Sequence, residues 1–355
     1  MPENHSQSEA EKFNWYDPGE KPFVLAGFPW FAQERLYRRL PLKPAWPIPP
    51  AVDSLANCTA GGQVRFSTNS RLICLKVALT ASSGMYHMPA TGQSGFDCYV
   101  GPVGQARYLR TIAGQPTDIT YQGLALDLPD SAMRVITLNF PLYQGVKELA
   151  IGLLPEARIQ PPPAYDRPGR IIIYGTSITQ GGCASRPGLV YSNILSRRFN
   201  YEFINLGFSG SGRGEPEMAK IIAEIPQPLV YILDYEANAG GLTKLRETLP
   251  VFISLLRKKH TSVPILLLSR IPYALLRHNS AALKDHLAAK SYQSSLVTRL
   301  REKGDKKIFF FSGQRLLGKK HWEECTVDGV HPTDLGFFRM AEALTPVIQN
   351  ILNSL

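Results

Sequence analysis

Ser177 ends the stretch "RIIIYGTS", in which Ile171 to Tyr174 run straight into Gly175, Thr176 and a hydroxyl. Far downstream, "TVDGVHPTDLG" sets His331 three residues after Asp328 on a tight loop, with Pro332 and Thr333 opening a closing helix. Between them come a glycine-rich turn, "NLGFSGSGRG", containing Gly210, and "DYEANAGG", containing the carboxamide of Asn238. Hydroxyl, imidazole, carboxylate, glycine turn and carboxamide together are what acyl transfer needs. A serine hydroxyl is a poor nucleophile until a base takes its proton. That base is usually histidine, and a carboxylate fixes its tautomer and stabilises the imidazolium. Backbone N–H groups and an amide side chain can hold an oxyanion, each contributing about 3–4 kcal/mol to the transition state. Ser177 on its own would read as an ordinary turn residue. The elements around it decide whether these groups can meet.

From residue 168 onward, five near-continuous apolar stretches alternate with helical ones. "RIIIYG", "EFINLG", "PLVYILDY", "VPILLLSR" and "KIFFFSG" read as strands. "LVYSNILSRRF", "PEMAKIIAEI", "LTKLRETLPVFISLLRKKH", "ALKDHLAAKSYQSSLVTRLREKG" and the last stretch of the chain read as helices. Such alternation implies a parallel sheet covered on both faces. The carboxyl ends of its strands then gather on one edge, where α/β enzymes place their chemistry. The loops leaving the strands carry Ser177, Gly210, Arg213, Asn238, Arg270, Asp328 and His331 to that edge.

The first part of the chain has another rhythm. "QVRFSTNS" and "RLICLKVAL" alternate apolar with polar or small residues, as half-buried strands do. "FDCYVG", "ARYLRTIAG", "ITYQGLALDL", "RVITLNF" and "KELAIGLL" come next at short intervals between turn residues, which suggests a β-sandwich or jelly roll over residues 1–160. "PEARIQPPPAYDRPG", with Pro161, Pro162 and Pro163 unable to donate backbone hydrogen bonds, marks a boundary before a catalytic unit at 168–355.

Composition narrows the function classes. The 355 residues are 44% hydrophobic and 19% charged, ordinary for a globular protein. The formal charge of +10 is scattered in pairs such as Arg38-Arg39 and Lys306-Lys307, without the basic–aromatic groove of a nucleic-acid binder. A solvated basic surface with no nucleic-acid partner is expected. Five cysteines include no C-x-x-C, so free thiols are expected rather than a zinc knuckle. No window approaches the ~20 apolar residues of a membrane span. The start, "MPENHSQSEAEKF", has no signal-peptide core, and the expectation is a cytoplasmic protein, or a secreted one if a leader was removed.

The blocks "GTSIT", "NLGFSGSG", "DYEAN" and "DGVHPTDLG" resemble, in order and approximate interval, those of the SGNH (GDSL-type) hydrolase superfamily. Its members are esterases, deacetylases and some acyltransferases with a flavodoxin-like fold. "GFDCY" at 95–99 is similar to the G-x-D-L-Y signature of the jelly-roll-like domain that precedes one branch of it, and "RLP" at 39–41 and "GGQVRFSTNS" fit that domain. The resemblance implies a three-layer α/β domain behind a β-sandwich, with Ser177 as nucleophile, His331 as general base and Asp328 as its partner. It implies an oxyanion hole made by the N–H groups of Ser177 and Gly210 and the side chain of Asn238. Two blocks depart from the usual pattern: Thr176 stands where G-D-S has aspartate, and "EANA" keeps Asn238 without its usual neighbours.

The implied reaction is hydrolysis of an ester through an acyl-enzyme on Ser177, with a small acyl group such as acetyl, on a small molecule or a carbohydrate, and with no cofactor or metal. Two other readings stay open. An acyltransferase would use the same triad to pass the acyl group to an alcohol, and an inactive SGNH-like protein would only bind carbohydrate. Arg213 and Arg270 are candidate substrate contacts; for Arg213 an ion pair with Glu215 is the competing reading. Asp234 and Glu236 have no local histidine and suggest no metal site. Cys183, close after Ser177, reads as a buried small hydrophobe. No G-x-S-x-G occurs, which argues against the nucleophile elbow of an α/β-hydrolase.

Overall fold

The period-two pattern of the first part of the chain folds into two antiparallel sheets. One runs β1 (Asn14–Tyr16), β9 (Val146–Leu153), β4 (Leu72–Leu79), β7 (Thr120–Asp127). The other runs β10 (Ile159–Gln160), β3 (Gln63–Thr68), β8 (Arg134–Asn139), β5 (Phe96–Val100), β6 (Arg107–Ile112), with β2 (Val24–Ala26) paired to β3. Val64 and Phe66 of β3 and Ile136 and Leu138 of β8 pack into one core with Ile73, Leu75 and Val77 of β4 and Ile151 of β9. The two sheets therefore bury their apolar faces against each other. This computed structural model describes residues 13–355. The polar opening residues 1–12, on which the reading of a missing signal peptide rested, lie outside the described residues.

The half-buried expectation fails for β3, all six residues of which are buried. Its polar face is covered by the rest of the chain. Gln63 Nε2 donates to Asn139 Oδ1 at 2.9 Å and to Ser196 Oγ at 3.0 Å. The Arg65 guanidinium lies over the Tyr165 ring, 4.3 Å from its centroid. Alternation shows which residues are apolar, not what covers the polar ones.

The second part forms a five-stranded sheet of β11 (Arg170–Gly175), β12 (Glu202–Gly207), β13 (Pro228–Asp234), β14 (Ile265–Leu268) and β15 (Ile308–Phe311). All neighbours are parallel, in the order β12-β11-β13-β14-β15. Side chains alternate across a strand. Ile172 and Tyr174 of β11 thus join the core under the helices Pro216–Ala223, Leu242–Lys259 and Ser280–Glu302. Ile171 and Ile173 join the opposite core, under Tyr191–Arg198 and Asp334–Leu352. The result is three layers. Because β12 and β13 flank β11 on opposite sides, the crevice of such a sheet opens at the carboxyl end of β11. Ser177 is there.

The two parts share their cores. Leu40, Val52 and Ala56 pack into the first helical layer, and Ala60, Met88 and Leu142 into the second. Among the described residues, no helix is long and apolar enough to cross a membrane. The expected solvated basic surface is wrong for one pair: Arg38 and Arg39 are 4% and 0% exposed.

Candidate active site

β11 delivers Ser177 into the first turn of a short helix, Ser177–Gln180, with Thr176 as its N-cap. The Thr176 hydroxyl accepts from the N–H of Ile178, an oxygen that the aspartate of a G-D-S block would also supply. The turn is tied down from several directions. Thr179 donates to Asp234 Oδ2 at 3.0 Å, and Tyr191 donates to the same oxygen at 3.0 Å. Gln180 Nε2 donates to the Leu142 carbonyl, and Tyr143 donates to that of Ser177. The backbones here run so close that a Cβ on Gly212 would strike the Gly175 carbonyl, so glycine is required.

Ser177 Oγ is 2.9 Å from His331 Nε2. On the other side of the ring, Nδ1 is 2.7 Å from Asp328 Oδ2. Asp328 Oδ1 accepts the N–H groups of Val330 at 2.9 Å and His331 at 2.7 Å. Gly329, at φ 86°, lets the loop fold back this tightly. Partial burial pushes the Asp328 carboxyl up, but bonds from the His331 N–H and ring and from the Val330 N–H outweigh it and hold the group at about 2. An ionised carboxylate on Nδ1 leaves Nε2 as the lone-pair nitrogen facing Ser177.

The turn after β12 brings Gly210 and Ser211 to the same edge, Gly210 at φ 66°. The Asn238 amide lies 3.2 Å from Gly210 N and 3.3 Å from Ser211 N. Turned one way, its oxygen accepts from both. Turned the other way, its NH2 meets the Gly210 N–H donor to donor. Among the described residues, no protein group accepts from the Ser177 N–H.

The two arginines bond to groups outside the Ser177–His331–Asp328 relay. Arg213 is exposed and its Nε donates to the Gly210 carbonyl at 3.1 Å. Its side chain forms no ion pair with Glu215, which accepts from the Tyr174 hydroxyl and the Arg213 N–H. Arg270 stands 3.3 Å from Glu236 and 3.2 Å from His286 Nδ1, on the flank of the sheet edge. Neither bonds to Ser177, His331 or Asp328. None of the five cysteines forms a disulfide among the described residues. Burial and then Asp328 push the Cys183 thiol up to about 12, so it is no rival nucleophile.

Three neighbours of the site had no role assigned from the sequence. His87, from the loop between β4 and β5, puts its ring 5.8 Å from that of His331. Tyr143 reaches the Ser177 turn from the loop after β8. Arg39, fully buried, donates to the carbonyls of Cys58 (2.7 Å), Leu55 (2.7 Å), Gly207 (2.5 Å) and Asn205 (3.3 Å), and so fastens the end of β12 ahead of the Gly210 turn. Two of these are recognisable only in space. For Arg39, "RLP" pointed to a domain and not to a role. Asp97 of "GFDCY" is also explained: it is fully buried and accepts from Arg186, Gly188 N–H and Asn139, pinning the two parts together.

A family model for GDSL-like lipases/acylhydrolases matches residues 169–349. The chain belongs to that family. A second model, for the N-terminus of SGNH-hydrolase-type esterases, matches residues 13–159. Among solved structures, this GDSL-like protein is similar to a GDSL-like lipase from Bacteroides ovatus at 31% identity, covering 96% of this chain and 98% of that one with a TM-score of 0.86. The salicylyl-acyltransferase SsfX3 of a tetracycline biosynthetic pathway shares the fold at 18% identity, covering 96% and 98%, with a TM-score of 0.78. A family two carbohydrate esterase from Cellvibrio japonicus does so at 13% identity, covering 96% and 98%, with a TM-score of 0.62. No curated protein matches the chain. Membership of this family makes the protein an enzyme of the lipase/acylhydrolase class.

Proposed function

We propose that the protein is a serine esterase that cleaves a small acyl ester, such as an acetylated carbohydrate, through an acyl-enzyme on Ser177. The observation that carries this is the unbroken relay from Ser177 Oγ through the His331 ring to Asp328, at 2.9 and 2.7 Å. Ser177 Oγ attacks the ester carbonyl as its proton passes to His331 Nε2. Asp328 stays ionised and stabilises the imidazolium. The carbonyl oxygen becomes an oxyanion facing the N–H groups of Ser177 and Gly210, and the Asn238 amide turns its NH2 to join them. In the resting protein its oxygen caps the Gly210 N–H, since three donors without an acceptor repel one another. His331 returns its proton to the leaving alcohol, and water repeats the sequence on the acyl-enzyme.

The carbohydrate assignment draws on the fold-level likeness to carbohydrate esterases, and the jelly-roll-like class of the first domain on its two facing sheets. An acyltransferase is the second reading, favoured by the end-to-end superposition on SsfX3. The same relay serves both outcomes, since the acceptor alone differs. The test is turnover of p-nitrophenyl acetate, longer-chain esters and acetylated sugars, beside Ser177→Ala. Wild-type turnover is expected to exceed that of the variant by about 10⁴-fold or more. Equal rates would remove Ser177 from the chemistry. Adding a panel of alcohols and assaying for new esters separates transfer from hydrolysis.

A further inference from the structure

Three side chains with metal-binding atoms meet at the proposed base. His87, Cys183 and His331 each offer one ligand atom, and these atoms all lie within 4.8 Å of one another. They come from three separate segments: the loop before β5, the turn after the Ser177 helix, and the loop before the last helix. The group is built rather than incidental. Buried Gln93 grips the His87 loop, accepting from the N–H groups of Gly84 and Met85 at 3.0 Å each and donating to the carbonyls of Met85 at 3.2 Å and Met88 at 2.5 Å. Met88 anchors in the core beneath. Cys183 is held in a left-handed turn at φ 75°, between Gly182, whose N–H donates to the Ser177 carbonyl, and Ala184, whose N–H donates to that of Gly181. His87 Nδ1 is buried and has no hydrogen-bond partner among the described residues. A buried ring nitrogen without a partner is costly unless something else completes it.

We propose that His87, Cys183 and His331 bind a divalent ion of the zinc class, and that the ion arrests the ester chemistry. Two imidazoles and a thiolate suit a borderline-soft metal and leave a fourth tetrahedral position open. Zinc bonds of the usual lengths set such ligand atoms roughly 3.3–3.6 Å apart, so the cluster closes by about 1 Å through side-chain rotation. His331 binds through Nε2, since Nδ1 already pairs with Asp328. That pairing is the carboxylate–histidine arrangement that orients a ligating imidazole and raises its basicity. On binding, Cys183 loses its proton to solvent, a sulfur–metal bond forms, and the Nε2 lone pair passes from the Ser177 hydroxyl to the metal. No electrons are transferred. Ser177 is left without a base.

The arrest rests on the esterase reading, whereas the site does not, so binding and activity are measured separately. Zn²⁺ binding to Ser177→Ala by equilibrium dialysis reports the site with no chemistry running. One ion per chain is expected, weakened at least tenfold by adding either His87→Ala or Cys183→Ser. In the otherwise wild-type protein, Zn²⁺ is expected to abolish p-nitrophenyl acetate turnover, chelation to restore it, and Mg²⁺ to leave it unchanged. His87→Ala and Cys183→Ser are each expected to need at least tenfold more Zn²⁺ for half-inhibition, measured against the metal-free turnover of the same variant. Equal Zn²⁺ affinity in parent and both variants would overturn the site. Tight binding without inhibition would overturn the arrest. Tight binding by a protein that cleaves no ester even when metal-free supports the site and overturns the esterase reading.

Discussion

In the proposed reaction the Ser177 hydroxyl gains its reactivity from groups 151 and 154 positions away, and each can be altered alone. Asp328→Asn replaces an acceptor on His331 Nδ1 with an amide whose NH2 favours the other tautomer, placing a proton on Nε2 where Ser177 needs a lone pair. Turnover is expected to fall about 10⁴-fold, with KM for a small ester little changed. The carboxyl is held at about 2, below its ordinary value, so it stabilises the fold fully above the unfolded value near 4 and loses that effect as pH falls through about 2. Urea titrations should therefore find a constant gap between wild type and Asp328→Asn above pH ~4, narrowing below it. Asn238→Ala removes one donor of the proposed oxyanion hole and is expected to lower kcat by about 10²–10³-fold. A smaller loss, within a few-fold, would leave the two N–H groups as the whole hole. The residues of this relay were legible in the sequence because their short blocks occur together and in order, whereas Ser177 alone reads as a turn residue. Asn238 was legible only as a residue type, since which way its amide faces depends on Gly210 and Ser211 across the edge.

Among elements, the Ser177 helix and β13 are joined by one buried carboxyl. Burial raises Asp234 to about 7, while hydroxyl donors Thr179 and Tyr191 pull it down and Glu236 pushes it further up. Its folded value exceeds the unfolded one, so the native state holds the proton more tightly. Stability from this group is full below pH ~4 and declines as pH rises through about 7. Asp234→Asn keeps an acceptor for the two hydroxyls without the charge. Thermal midpoints between pH 4 and 8 are expected to fall more steeply with pH in wild type than in Asp234→Asn, and parallel slopes would show that the carboxyl is ionised throughout. The alternation of strand and helix in the second part could be read from sequence because a sheet covered on both faces needs continuous apolar strands. What could not be read is the role of "DYE": a carboxylate after a strand looks the same whether it faces substrate or, like Asp234, anchors a helix.

The stretches on either side of the proline-rich bridge share their cores. The first part supplies Leu40, Val52 and Ala56 to one helical layer and Ala60, Met88 and Leu142 to the other. Each large apolar side chain so buried contributes about 1.5–3 kcal/mol. Arg39 adds two charged hydrogen bonds to carbonyls of β12, and Asp97 adds an ion pair to Arg186 at 2.9 Å. Against a net stability of about 5–15 kcal/mol for a folded domain, losing all of these removes most of the margin. Composition and rhythm marked two kinds of sheet, yet periodicity carries no information on which polar faces will be covered, as β3 and Arg39 show. The full chain is therefore expected to unfold in a single calorimetric transition. Residues 168–355 expressed alone should expose the orphaned apolar surface, melt at a markedly lower temperature and bind a hydrophobic dye. Even where that fragment folds, its Ser177 turn lacks the Leu142 carbonyl and the Tyr143 hydroxyl, so its esterase turnover should fall well below that of the full chain. Two separate transitions, or a fragment as active as the whole, would mean that the first part only borders the catalytic one.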